Sequence, residues 1–300
     1  MTSGNGRFVT RSACELCGAA RSRTLLARPM TDAAVWEFLE AYYEGRIAKT
    51  ALDGAEYRIL LCEECGFVWQ GEVLAADAMR VLYREWISAE DSLNKKRFGA
   101  AALFSEYASQ ARRIAELIGK PPHETDVLDF GMGWGYWCRM ARAFGYRVTG
   151  LEVAEDRRAH AQSMGIRVID ALPGGNGGHF DFINAEQVFE HITDPLATAR
   201  ELSRVLRPRG VVRIAVPDAE AAIRGLADPG WKARKDALHP LEHINGFTHE
   251  TLVRLGEAAG LQVEQPAAET RGLRRLLAVI AGRLSGPPRS GTCLFFRKAG

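Results

Sequence analysis

The second half of the chain alternates between two hydrophobic patterns. Short runs of apolar residues, bounded by glycine or polar turn residues, predict strands that are buried on both faces. These runs are DVLDFG, YRVTGLEV, IRVID, FDFINA and VVRIAVP. Segments with apolar residues at helical spacing lie between the runs, and they are WGYWCRMARAFG, EDRRAHAQSMG and DPLATARELSRVLRPRG. This alternation predicts an α/β fold, in which helices cover both faces of a mostly parallel sheet.

The ends of two helices can be predicted from individual residues. Asp194 and Pro195 are an N-cap and a first-turn proline, and Gly210 lies just past the expected end of the same helix. Upstream, apolar residues recur among charged ones over residues 92–120. We therefore expect a bridging helix over 92–120, between an N-terminal module of residues 1–91 and a sheet domain of residues 121–300.

Four cysteines in the N-terminal module form two C-x-x-C knuckles. Cys14 and Cys17 belong to CELCG, and Cys62 and Cys65 belong to CEECG. Four thiolates complete the tetrahedral shell of a structural zinc ion and leave no open position for catalysis. A helix in DAAVWEFLEAYYEGRI and a strand in YRILLC separate the knuckles. We expect structural Zn2+ here, with free thiols or an iron–sulfur cluster as the alternatives.

Composition narrows the choice of partner and compartment. The formal net charge of the 300 residues is +2, with acidic and basic residues nearly balanced, so the charge does not indicate a nucleic-acid partner. No apolar run is long enough to cross a bilayer, and the first residues lack the hydrophobic segment of a signal peptide. We expect a cytoplasmic protein, and the sequence does not indicate its oligomeric state. A basic amphipathic stretch at 271–284 is expected either to pack on the sheet or to meet a partner or a membrane.

The stretch VLDFGMGWG places a glycine turn directly after the first strand of the sheet domain. Gly131, Gly133 and Gly135 allow the backbone to approach a ligand closely. A dinucleotide fingerprint needs a third glycine where Tyr136 stands. Asp129, two residues before the turn, would repel a pyrophosphate and attract an ammonium group. The turn therefore favours a cationic ligand over NAD.

Two further acids follow neighbouring strands. Glu152 comes about 20 residues after the glycine turn, where an acid accepts hydrogen bonds from ribose hydroxyls. Asp170 ends the next strand, within reach of an adenine amino group. Because parallel strands present their carboxyl ends at one edge, these groups are expected to share a site. A ribose, an adenine and an ammonium without a phosphate anchor describe S-adenosylmethionine.

Over residues 121–300, the sequence resembles the class I S-adenosylmethionine-dependent methyltransferases. The resemblance rests on LDFGMGWG, GLEV, FDFINAEQVFEHITDP and VLRPRGVVRIAVPD. It implies a Rossmann-like seven-stranded sheet whose last strand, GTCLFFRKA, is antiparallel and pairs with LQVEQ. It also implies that Ala185, Glu186 and Gln187 flank the cofactor, and that Gln187 or Val188 lines the methyl channel. Ala171, next to Asp170, is expected to belong to the same cofactor site.

The knuckles ahead of this domain resemble those of nucleotide-sugar C-methyltransferases and related natural-product and glycan enzymes. Those enzymes carry a histidine after the fourth strand, which corresponds to His191, and a Tyr-Glu-His triplet further on. Here the triplet is Leu241-Glu242-His243, so leucine replaces the tyrosine. The resemblance implies that His243 is the acceptor base, Glu242 orients the acceptor and His191 completes the pocket.

These observations predict a methyltransferase with a small-molecule acceptor, such as a nucleotide sugar, a glycan intermediate or a natural product. Two alternatives stay open. The zinc module could bind RNA in an RNA methyltransferase, or the chain could be a cofactor-binding scaffold without catalysis. The sequence does not identify the acceptor or the methylated atom.

Overall fold

The N-terminal module contains two small antiparallel sheets. The computed structural model describes residues 2–3, 6–99, 101–175, 177–264 and 291–300. The strands of the module are β1 (Thr2–Ser3), β2 (Phe8–Thr10), β3 (Ser22–Pro29), β4 (Glu56–Cys62), β5 (Val68–Gln70) and β6 (Glu72–Leu74). Its helices are α1 (Ala33–Tyr42), α2 (Ala76–Val81) and α3 (Ala89–Arg97). Asp32 caps α1 by accepting a hydrogen bond from the Ala34 N–H, so the helix and the strand expected between the knuckles are both present.

A seven-stranded sheet forms the centre of the rest of the chain. The strands are β7 (Asp126–Phe130), β8 (Arg147–Leu151), β9 (Arg167–Ile169), β10 (Phe180–Glu186), β11 (Leu206–Pro217), β12 (Asn245–Gly246), β13 (Leu261–Val263) and β14 (Gly291–Lys298). All except β12 join the sheet, in the order β13-β14-β11-β10-β7-β8-β9. Strands β7 to β11 are parallel to one another, and β14 is antiparallel to both β11 and β13. The expected seven strands and the antiparallel last strand are therefore confirmed.

Helices pack on both faces of this sheet, as the alternating pattern predicted. Two apolar clusters show the arrangement: α4, α5 and α6 contribute to one, and α7 and α9 contribute to the other. The helices are α4 (Ala101–Ile118), α5 (Tyr136–Ala143), α6 (Glu155–Ser163), α7 (Pro195–Val205), α8 (Glu220–Gly225) and α9 (His249–Ala258). Because β7 and β10 are covered on both sides, their side chains are almost all buried.

Two helix expectations were wrong in detail. The segment 92–120 forms two helices, because α3 ends at Arg97 and α4 begins at Ala101. Helix α7 ends at Val205, and residues 206–210 are the start of β11. Pro208 disfavours helical backbone at the residue before it, and Arg209 has a φ of 62° that no helix tolerates. The N-cap Asp194 and the first-turn Pro195 are confirmed.

The N-terminal module is not separate in space from the sheet domain. Strand β12 pairs with β5, with Asn245 opposite Trp69 and Gly246 opposite Val68. The segment that follows β11 packs its apolar residues into the core of the module, among them Leu226, Leu238 and Leu241. The N-terminal module and the sheet domain therefore both contribute residues to the region around β12.

Two expectations concern membranes. The amphipathic stretch 271–284 lies outside the described residues. Among the helices of the described ranges, none combines the length and the apolar character that crossing a bilayer requires.

Candidate functional site

The glycine turn after β7 has backbone angles that other residues adopt only with strain. The φ angles of Gly131, Gly133 and Gly135 are 72°, 55° and 77°. A Cβ at position 131 would lie 2.6 Å from a methyl group of Val188, whereas a Cβ at position 133 would meet nothing within 4 Å. Gly133 therefore faces open space, as expected where a ligand approaches the backbone. Tyr136, which stands in place of the dinucleotide glycine, is buried at the start of α5.

Asp129 is buried at the carboxyl end of β7. Its carboxylate accepts hydrogen bonds from Asn184 Nδ2 at 2.8 Å and from the Cys138 thiol at 3.4 Å. Burial raises the pKa of Asp129 to about 7, and the acid Glu186 adds to the shift, while Asn184, Cys138 and Arg213 oppose it. Between about pH 4 and pH 7, Asp129 is protonated in the folded protein and ionised in the unfolded chain. Its contribution therefore lowers the free energy of unfolding as the pH rises through that window.

Glu152 follows β8 and points back to the glycine turn. One carboxylate oxygen accepts hydrogen bonds from the Val153 and Ala154 N–H groups, both at 2.9 Å. The other accepts a hydrogen bond from the Gly133 N–H at 3.1 Å. Three backbone donors thus fix the orientation of this carboxylate beside the turn, and its remaining lone pairs are available to a ligand.

The other expected cofactor residues differ in their surroundings. Asp170 and Ala171 are exposed after β9, at the same edge of the sheet. At the end of β10, Glu186 pairs with Arg213 at 2.9 Å. Gln187 has a φ of 56°, and its N–H donates to the Ala215 carbonyl at 2.8 Å. A strained residue at a strand end is characteristic of functional sites.

A buried polar chain beneath these residues was missed by the sequence reasoning. Arg213 donates to Asn184 Oδ1 at 2.8 Å, and Asn184 in turn donates to Asp129. Arg213 is only 7% exposed, so its charge is compensated inside the protein by Glu186 and Asp129. A charged residue in the apolar run VVRIAVP was the available signal.

The segment 187–191 leads from the glycine turn to a cluster of histidines and acids. Val188 lies against Gly131, and residues 189–191 form a short 3-10 turn. The His191 Nδ1–H donates to the Glu242 carbonyl at 2.8 Å. The rings of His191 and His243 lie 5.0 Å apart. The structure therefore brings together the three residues expected on the acceptor side, next to the expected cofactor turn.

Other residues of this cluster were not predicted. Tyr43 of the N-terminal module donates to Glu242 Oε1 at 2.8 Å, and the Tyr83 hydroxyl lies 3.4 Å from His191 Nδ1. The ring centroid of His239 lies 3.8 Å from that of His243, with the two planes tilted by 48°. His239 lies four residues before His243, but nothing in the sequence indicated that two tyrosines from the N-terminal module would join them.

Burial keeps both imidazoles neutral. It lowers the pKa of His243 to about 2, with His239 and His191 as additional causes, and it lowers the pKa of His191 to about 4. For Glu242, burial favours a raised pKa, but His239, Tyr43 and His191 outweigh it, so the carboxyl pKa lies below its ordinary value. The cluster therefore presents a carboxylate and uncharged imidazoles at neutral pH.

The two cysteine knuckles converge in the N-terminal module. Cys14 Sγ lies 3.6 Å from Cys65 Sγ, and Cys17 Sγ lies 3.5 Å from Cys62 Sγ. All four sulfurs lie within 4.8 Å of one another. Sulfurs bound tetrahedrally to zinc are separated by about 3.8 Å, so the donor set suits this ion. The separations are too long for disulfide bonds.

Comparison with known proteins shows the family. A family model described as a methyltransferase domain matches residues 100–265, more than half of the chain. A ubiquinone biosynthesis O-methyltransferase from Nitrosospira multiformis is 29% identical over 110 residues, which cover 33% of this chain and 44% of the relative. A malonyl-[acyl-carrier protein] O-methyltransferase from Serratia marcescens is 29% identical over 188 residues, which cover 57% of this chain and 70% of the relative. The chain thus spans less than half of the first relative and more than two thirds of the second.

Among solved structures, one similar chain is a 1,6-didemethyltoxoflavin-N1-methyltransferase from Burkholderia thailandensis with bound 1,6-didemethyltoxoflavin and S-adenosylhomocysteine. Its TM-score is 0.47 at 17% identity, and the match covers 79% of this chain and 98% of that one. The family match agrees with the strand order and with the glycine turn after β7. The chain belongs to the methyltransferase-domain family.

Proposed function

We propose that the protein methylates a small-molecule acceptor bound between the sheet domain and the N-terminal module. The observation that carries this proposal is the course of segment 187–191. Its beginning touches the glycine turn through Val188, and its end holds His191 against Glu242 and His243. A cofactor at the turn and an acceptor at the histidine cluster would therefore lie on either side of one short loop.

The residues on the cofactor side have complementary roles. S-adenosylmethionine supplies an activated methyl group when it is bound. We assign the ribose hydroxyls to Glu152, whose carboxylate is oriented by three backbone N–H groups. The ammonium is assigned to Asp129, and the adenine to Asp170 and Ala171. Gly133 provides the open backbone, Gly131 and Gly135 allow the turn to pack against Val188 and Ala161, and Glu186 and Gln187 are assigned to the flanks of the methyl group.

On the acceptor side, the main requirement is alignment of the nucleophilic atom, because the leaving group is already activated. His243 is assigned to the atom that loses its proton, since its Nδ1–H donates to the Asp236 carbonyl at 2.7 Å and its Nε2 therefore carries a lone pair. Glu242 is held by Tyr43 and orients the acceptor. His191 completes the pocket from the loop after β10.

We also propose that Cys14, Cys17, Cys62 and Cys65 hold a structural zinc ion. The support is the convergence of four sulfurs at separations close to those around zinc. Thiols in this arrangement favour a reducing compartment such as the cytoplasm. The knuckles also pack into the apolar cluster of the sheet domain through Cys14, Leu16 and Cys62, which gives the zinc module a supporting role for the pocket.

A small acceptor is favoured over RNA by the pocket and by charge. The residues that enclose the histidine cluster are aromatic and largely buried, with Tyr43 only 1% exposed, and a buried site of this kind suits a small molecule. A net charge of +2 over 300 residues provides little attraction for a phosphate backbone.

The test is transfer of a labelled methyl group to nucleotide sugars, glycan intermediates, aromatic metabolites and RNA. We expect label in a small molecule and loss of that transfer in His243→Gln. Label in RNA alone would establish the alternative. Binding of S-adenosylhomocysteine without transfer to any of the four classes would favour the non-catalytic scaffold.

A further inference from the structure

We propose that Glu190, His191 and His243 form a second metal site, which binds a divalent first-row transition ion on the acceptor side. This site differs from the four-cysteine site in its place and in its ligands. The proposal rests on the proposed function, because the ion would contact an oxygen of the acceptor. It narrows the acceptor to molecules with a hydroxyl or enol oxygen at or beside the methylated atom.

The geometry brings three ligand atoms of the right kind together. One donor atom from each of the three residues lies within 4.8 Å of the other two. His191 Nε2 and Glu190 Oε1 are 3.9 Å apart. Around an ion with bonds of about 2.1 Å, tetrahedral ligands lie about 3.4 Å from one another. Small side-chain rotations therefore suffice to close the site around an ion.

Both histidines are already fixed in the tautomer that a metal requires. The Nδ1–H of His191 donates to the Glu242 carbonyl at 2.8 Å, and the Nδ1–H of His243 donates to the Asp236 carbonyl at 2.7 Å. A carbonyl can only accept, so each Nδ1 carries the hydrogen and each Nε2 carries the lone pair. Histidines that bind metals are characteristically held by a backbone carbonyl or a carboxylate on the other ring nitrogen.

Glu190 supplies an independent observation. Its side chain is 1% exposed, and neither carboxylate oxygen has a hydrogen-bond partner among the described residues. A buried carboxylate without a partner is strongly unfavourable, and such groups are normally paired or bound to a metal. The neighbouring acid Glu242 does not share this property, because Tyr43 donates to it. A cation between Glu190 and the two imidazoles would satisfy the unpartnered oxygens.

The ligand set indicates the class of ion and its role. Two imidazoles and one carboxylate bind zinc or ferrous iron at sites that keep open positions for a substrate. The side chain of His191 is 23% exposed, so this side of the site can be reached by an acceptor. With the ion bound, His243 would be a metal ligand and would no longer be the base that takes the acceptor proton. An acceptor hydroxyl bound to the ion would instead lose its proton to water, since both electrons of the O–H bond stay on an oxygen that the cation stabilises.

The test counts zinc in the full-length protein. Purified protein is equilibrated with a zinc buffer, desalted and measured by elemental analysis and native mass spectrometry. We expect two zinc ions per chain in the wild type, one in Glu190→Gln, and two in the matched control Glu242→Gln. One zinc in the wild type, or two in Glu190→Gln, would overturn the site.

Two further measurements test whether a lost zinc ion reports the site itself and not a misfolded variant. Glu190→Gln keeps the size and shape of the side chain, so it should fold, and unchanged affinity for S-adenosylhomocysteine verifies this. With Co2+ as the probe, the weak visible bands of the three-ligand site should vanish in Glu190→Gln while the thiolate charge-transfer bands persist. Equal spectra for the wild type and this variant would count against the site.

Failure of this inference is distinguishable from failure of the proposed function. A wild-type protein that holds one zinc ion yet methylates a small molecule would refute the second metal and leave the function intact. Two zinc ions, with the second lost in Glu190→Gln, together with methylation of RNA alone, would establish the metal and refute the small-molecule acceptor.

Discussion

Replacing Glu152 with alanine tests the assignment of the cofactor site directly. The carboxylate is 6% exposed and lies beside the glycine turn, where the Gly133 N–H donates to one oxygen. The alanine variant removes the acceptor for both ribose hydroxyls and leaves the cofactor turn itself in place. We therefore expect weaker binding of S-adenosylhomocysteine without loss of the fold.

The magnitude follows from the hydrogen bonds that are lost. A hydrogen bond to a charged group contributes about 1.5–3 kcal/mol, and two are removed, although water replaces part of the loss. A tenfold change in affinity corresponds to about 1.4 kcal/mol, so the loss of one such bond at its lower limit is already enough to weaken binding tenfold. Affinity should therefore fall at least about tenfold. Glu152→Gln should be no better, because its NH2 group would face a backbone N–H at one of the two oxygen positions.

Calorimetric titration with S-adenosylhomocysteine is the assay, and Glu155→Gln is the matched control. Glu155 is exposed in the first turn of α6, three residues from Glu152, and we expect its variant to bind normally. Each variant should still unfold cooperatively, but Glu152→Ala should unfold at a lower temperature than the wild type and Glu155→Gln, because three backbone N–H groups lose their acceptor. If Glu152→Ala binds with unchanged affinity, the ribose is held elsewhere and the assignment of Glu152 is wrong.

The remaining predictions concern the metal, the ammonium and the acceptor. Cys62→Ser should lose the structural zinc and unfold at a lower temperature, as measured by elemental analysis and calorimetry; an unchanged zinc content would contradict the four-cysteine site. Because only the anionic Asp129 attracts the ammonium and its pKa is about 7, affinity for S-adenosylhomocysteine should fall about tenfold from pH 8 to pH 6. Asp129→Asn should bind weakly at both pH values, and a pH step that survives in this variant would assign the titration to another group. His243→Gln should reduce turnover about a hundredfold with unchanged cofactor affinity, whereas the exposed His249→Gln should not. An undiminished rate in His243→Gln, with methyl transfer rate-limiting, would show that His243 only packs in the pocket.

The cofactor edge of the sheet could be predicted from the sequence because its determinants are local. Apolar runs fix the strands, and parallel strands place their carboxyl ends at one edge. Asp129 lies near the end of β7, and Glu152 and Asp170 directly follow β8 and β9. Each cysteine knuckle is also a local feature, since one tight turn joins its two cysteines. The local pattern gave the wrong end for α7, because the backbone conformations at Pro208 and Arg209 do not allow the helix to continue.

The acceptor side could be predicted only in part, because it depends on contacts between distant segments. Tyr43 and Glu242 are separated by 199 residues, and no local pattern encodes their hydrogen bond. Glu190 was adjacent to a predicted residue, yet its burial and lack of a partner depend on everything packed around it. Among the residues that the sequence reasoning missed, Arg213 of the cofactor side could have been found, since a charge within an apolar strand was visible in the sequence.

The contacts of Arg11 connect the four-cysteine cluster to the loop that carries His191. Arg11 lies three residues before Cys14 and donates to Asn245 Oδ1 at 2.9 Å and to the Ile244 carbonyl at 3.0 Å. Asn245 in turn donates to the carbonyls of Phe189 and Ile192, at 2.9 Å and 2.6 Å, on either side of His191. Arg11 is 6% exposed, and a buried guanidinium keeps its place only while these acceptors surround it. If the four cysteines hold an ion, that ion fixes the first knuckle together with the donor that holds the loop with His191, so the cysteine cluster and this loop are connected through Arg11 and Asn245.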